Sequence, residues 1–93
     1  MTTYYSQRDG NWSTADNWDI LGGGDPPDTG DEAGMDNHTF IIQANHKILM
    51  DLNMSAWANG IVSLLIQSHG STPGMLYFTD GTSGVLKIKS GSV

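Results

Sequence analysis

From Thr39 onward, apolar and polar residues alternate with period two in five short runs. They are TFIIQ (39–43), HKILMDL (46–52), IVSLLIQ (61–67), MLYFT (75–79) and VLKIK (85–89). Such alternation marks strands that bury one face. In the second run Ile48, Met50 and Leu52 alternate with Lys47, Leu49 and Asp51; in the last, Leu86 and Ile88 oppose Lys87 and Lys89. The intervening segments QANHK, NMSAWANG, SHGSTPG and DGTSG carry turn chemistry. The one stretch with helical character, MSAWANG, spans a single turn at most. The pattern predicts an all-β chain.

Residues 1–36 differ in kind. They are rich in Gly, Asp, Asn, Pro, Ser and Thr, with LGGGDPPDTGDE at their centre. Glycines supply positive φ, prolines exclude helix, and aspartates bond their own backbone, so this segment reads as irregular. A loop of that length is either packed down by its aromatics or functional. The expected organisation is a single β domain over 1–93, with an acidic, irregular N-terminal part (1–36) and short strands (37–93). Two architectures fit: a small sandwich or barrel, and a short β-helix-like stack. A stack would end on an open sheet edge, which another copy or a partner chain would have to cover.

A chain of 93 residues buries only about 60–65% of its unfolded surface. It contains no cysteine, so neither disulfides nor thiolate metal sites reinforce the core. The start MTTYYSQRDG lacks the basic and apolar regions of a secretory signal. No apolar run approaches the ~20 residues of a membrane span. The net charge is −6, and eight of the ten acidic residues lie within 1–36, against Arg8 alone. Four basic residues leave no electrostatic footprint for nucleic acid, which excludes that class of partner.

Candidate chemistry is thin. His38, His46 and His69 match neither a zincin helix nor a Cys/His finger. Asp25, Asp28, Asp31 and Glu32 offer the hard oxygens that calcium prefers, but their spacing is not that of an EF-hand loop and two prolines stiffen it. Asp16 and Asp19 flank Trp18 but sit in turn-rich sequence where such residues cap. No nucleophile elbow is present, and GGG at 22–24 neither follows a buried strand nor opens a helix. Asn11, Asn37 and Asn53 satisfy the N-glycosylation pattern, read here as accidental. The expectation is a protein that is not an enzyme and needs no cofactor, with calcium the one candidate ion. Trp12 and Trp18, six positions apart in GNWSTADNWD, leave two readings open: an exposed aromatic platform, or a plug for one end of a small core.

The order of motifs resembles a known pattern. GNWSTADNWD, PPDTGDE, IIQANHKILMD, SLLIQSHGSTPGMLYFTD and GVLKIKSG follow one another as in the short glycine-rich β-domain that opens right-handed β-helical surface proteins and phage virion proteins. The likeness covers nearly the whole chain. Two departures stand out: EAGMDNHTF replaces a valine run, and Asn45 replaces the glycine before the histidine turn, where Asn also tolerates the left-handed conformation. The resemblance implies a binding, anchoring or architectural module. It places Trp12 and Trp18 as structural seals over the first rungs, Tyr4 and Tyr5 in an anchoring N-terminal strand or arm, and leaves Trp57 open between surface and core.

These readings together lead to an expected structural protein of a bacteriophage virion, decorating the capsid or belonging to the tail or fibre. Its expected partners are further copies of itself, a trimer on the resemblance, and other virion proteins such as the capsid. It would assemble in the host cytoplasm without membrane insertion. A rival reading is a carbohydrate-binding adhesin module, extracellular in location, with surface glycans on Trp18, Trp57 or Tyr77. A calcium-stabilised adhesin fragment is the third.

Overall fold

In the computed structural model, which describes residues 2–68, 70–78 and 84–89, the N-terminal tyrosines open a strand, β1 (Thr3–Ser6). Its alternation turns Tyr4 and Ser6 inward. Six further strands follow: β2 (Gly10–Asn11), β3 (Trp18–Asp19), β4 (Thr39–Ile42), β5 (Lys47–Leu49), β6 (Ser63–Ile66) and β7 (Met75–Tyr77). One turn of 3-10 helix, Ala15–Asn17, leads into β3, and one turn of α-helix, α1 (Glu32–Met35), precedes β4.

The strands form two sheets. The first runs β3-β1-β4-β6 and the second β2-β5-β7. In the second sheet every pair is parallel; in the first only β3 runs antiparallel to its neighbour β1. The register places Tyr4, Phe40 and Leu64 side by side, and likewise Tyr5, Ile41 and Leu65. Isolated parallel bridges join Asn53 to Val85 and Ile61 to Ile88. Parallel pairing in successive layers brings the inward residues of each layer onto one another. The core that results holds Tyr4, Phe40, Ile42, Ile48, Met50 and Ile61, capped by Trp12, Trp18, Met35, Met54 and Trp57.

This architecture corrects the expected fold class. The chain is a compact α/β domain rather than an all-β one, and the described residues form neither a closed β-helix nor a sandwich. Its radius of gyration, 12.3 Å, equals the roughly 12 Å of a fully compact chain of this length. The N-terminal part is not simply irregular either, since it holds β1, β2, β3, the 3-10 turn and α1. Alternation reveals which residues face inward but is silent on whether neighbouring strands run parallel. It also cannot register a four-residue helix. That helix exists because Asp31 caps it, its carboxylate accepting from the Ala33 amide at 3.2 Å, while Met35 drops fully buried into the core.

The run at 85–89 contributes two bridges in place of the expected strand. Thr79, at the end of MLYFT, and His69 lie outside the described residues. At Asn37 and Asn45 the backbone takes φ of 65° and 73°, the left-handed region that Asn enters at little cost.

Candidate functional site

Acidic side chains hold the irregular connections to the sheets. Asp51 accepts from the Ser13 amide at 2.9 Å and from its hydroxyl. Asp9 accepts from the Lys47 amide, Glu32 from the Ala58 amide and Asp36 from the Gly60 amide. These bonds cross 24 to 38 residues of sequence. They show what much of the acidic excess does: carboxylates serve as acceptors for loop N–H groups that no sheet ladder satisfies.

The same device builds a cleft. Asp19, at the end of β3, receives the amides of Ile20 at 2.8 Å, Gly24 at 3.0 Å and Asp25 at 2.8 Å. Its carboxyl is held below the usual range, first by the bond from Asp25, against the opposing effect of burial, with the bonds from Gly24 and Ile20 adding to the lowering. The loop so gathered turns through Gly22, Gly23 and Gly24, all at positive φ between 80° and 96°. It forms one wall of an open cleft of about 300 Å³.

The floor of the cleft comes from the outer face of the first sheet. Tyr5 lies there, flanked by Gln7 and Gln43. The two amides are fixed by the main chain: Gln7 Nε2 donates to the Tyr5 carbonyl at 2.9 Å, and Gln43 Nε2 to the Ser6 carbonyl at 2.6 Å. Ile20 and Leu21 supply the apolar wall, and Leu21 is 78% exposed. Among the described residues no charged side chain lines the cleft.

Behind that face, Ser6 is fully buried. Its hydroxyl accepts from the Gln43 amide at 2.8 Å and lies 2.7 Å from His46 Nδ1. His38 accepts from the Thr2 amide at Nδ1 and meets the edge of Tyr4, with ring centroids 5.4 Å apart. Burial lowers the pKa of His38, and burial likewise raises that of the Tyr4 hydroxyl.

The sequence-predicted residues fall into different places. Trp12 and Trp18 are fully buried and pack on Phe40 at centroid distances of 5.0 and 4.9 Å. Trp57 and Tyr4 are buried as well, each only 8% exposed. Neither Trp18 nor Trp57 therefore offers a ring face to solvent, whereas Tyr77 is partly exposed. Tyr5 is half-buried and is brought together with Gln7 and Gln43. Among the described residues no group of three His, Asp or Glu side chains is gathered to hold a metal ion. Of the calcium candidates, Asp31 caps α1 and Glu32 bonds the Ala58 amide.

The two glutamines were missed by sequence reasoning. Their signal is positional: each follows a four-residue strand by one place, as does Gln67 after β6. A second surface is apolar. β6 and β7 are each hydrogen-bonded to a strand on one side only among the described residues. They carry Leu65 and Met75, 54% and 47% exposed, and Phe78, just beyond β7, is 52% exposed.

No protein-family model, no curated protein and no solved structure matches this chain. Among the described residues no helix is long and apolar enough to cross a membrane.

Proposed function

We propose that the chain is a non-enzymatic structural protein of a bacteriophage particle, decorating the capsid or built into the tail, and that it works by oligomerisation and surface attachment. The observation that carries this reading is the pair of terminal strands. Among the described residues β6 and β7 are each paired with a strand on one side only, and they carry Leu65, Ile66, Met75 and Tyr77, all exposed. Unpaired strand edges bearing apolar side chains and no charge are a template for pairing with another chain. Natural domains that remain alone blunt such edges with charge, proline or a covering loop.

The reading is also supported by an order of sequence motifs that resembles that of phage and surface β-domains, and by the way the side chains are used. The carboxylates bind loop amides, and Trp12, Trp18 and Trp57 fill the core. Mass spectrometry of gradient-purified particles from the phage that encodes the chain tests the assignment. The chain is expected in stoichiometric amount among the particle proteins. Its absence from particles, with abundant free protein in the lysate, would contradict the assignment.

A further inference from the structure

We infer that the cleft over Tyr5 is a binding site for a neutral saccharide, with the sugar ring seated against Tyr5 and its hydroxyls bonded to Gln7 and Gln43. The site lies on the outer face of the first sheet, at the strand pair β1–β3. Its volume of about 300 Å³ is at the small end of the range for ligand sites. That suits an occupant of one or a few rings.

The lining chemistry selects the ligand class. An aromatic ring beside apolar Ile20 and Leu21 gives a surface for the C–H face of a pyranose. Each glutamine has committed an N–H to a main-chain carbonyl, Gln7 to Tyr5 and Gln43 to Ser6. This orients the amides and leaves their carbonyl oxygens as acceptors for hydroxyl groups. Among the described residues the lining holds no charged side chain, which disfavours a carboxylate, a phosphate or an ammonium group as the ligand. The net charge of −6 further disfavours a nucleotide, which would also stack on a ring.

The site is built before any ligand arrives. Asp19 ties the Ile20–Asp25 loop with three backbone bonds, and the glutamines are anchored from below. A ligand would thus pay little ordering entropy on binding. At Gly22 an added Cβ would meet nothing within 4 Å, so no neighbouring atom crowds the wall at that point. The same rows continue across the sheet. Ile41 and Leu65 stand in register with Tyr5, and Gln67 follows β6 as Gln43 follows β4. Neighbouring strands lie about 4.8 Å apart, so a longer glycan has a track of alternating apolar and amide rows to follow.

The test is a titration of the intact, isotope-labelled chain followed by NMR, using glucose, galactose, N-acetylglucosamine and their short oligomers as probes. Shifts are expected at Tyr5, Gln7, Leu21–Gly23 and Gln43 for at least one of these neutral sugars. Tyr5→Ala should weaken that binding roughly tenfold, as expected for loss of a ring contact. Gln7→Ala, at an exposed position, is the second variant should Tyr5→Ala disturb the sheet, and it should weaken binding several-fold. Silence with every neutral sugar at millimolar concentration would overturn the site. So would shifts lying elsewhere, or binding that neither substitution alters. A response to a peptide or nucleotide alone would also overturn it. None of these outcomes depends on oligomeric state.

Discussion

The indole N–H of Trp18 donates to the backbone carbonyl of Trp12 at 3.0 Å, while their rings lie 4.8 Å apart and tilted by 54°. The relationship is not symmetric, because the buried indole N–H of Trp12 has no hydrogen-bond partner among the described residues. Both rings press on Phe40, so this trio closes the end of the core nearest β1. Truncating either ring to alanine should cost about 3–5 kcal/mol, enough to unfold a domain of ordinary stability. Phenylalanine separates the two. Trp18→Phe loses a bond and strands a carbonyl, whereas Trp12→Phe removes an unsatisfied donor, so Trp18→Phe should be the worse by about 1–2 kcal/mol. Denaturant melts of the two variants, followed by circular dichroism, check the order.

Gly30 marks where the N-terminal segment passes itself. A Cβ built there would stand 1.5 Å from the Ser13 carbonyl oxygen, the same residue that Asp51 holds to β5's outgoing chain. Gly30→Ala must therefore displace main chain and not merely a side chain. A loss of about 3 kcal/mol or more is expected. Gly22→Ala makes no such clash but does force a side chain to φ of 96°, and should cost about 1 kcal/mol. Thermal melts of the two variants side by side distinguish contact from conformation.

Acid should weaken the fold through His38. Burial holds its imidazole below the ordinary value of 6.5, so the unfolded chain takes up the proton more readily than the folded one. Stability is thus fully present above the unfolded pKa and declines as pH falls through 6.5 towards the lower folded value. His38→Gln should flatten the dependence of the urea midpoint on pH between about 7 and 5. Asp19 acts in a lower window. Its depressed pKa gives stability present above 3.8, lost as pH falls further and the carboxylate that gathers the Ile20–Asp25 loop is neutralised.

β4 and β5 were legible because each buries a face. Ile48 and Met50 are inward as their alternation requires, and so are Phe40 and Ile42. Strand direction was not legible, since inward residues look alike whether neighbours run parallel or antiparallel. The first 36 residues hid their order for another reason. Their contacts are single carboxylate-to-amide bonds across long separations, such as Asp51 to Ser13 and Asp9 to Lys47, and no periodicity encodes those. The cleft was hidden likewise. Tyr5 could be named from the sequence, but its union with Gln43 depends on the parallel register of β1 with β4.

The oligomeric state of the intact chain, measured by size-exclusion chromatography with light scattering at micromolar concentration, tests the structural role most directly. An oligomer is expected, with further copies covering the β7 edge. Replacing Met75 and Tyr77 by lysine, at positions exposed on that strand, should return a folded monomer. A wild-type chain that stays monomeric and folded throughout that range would contradict the account.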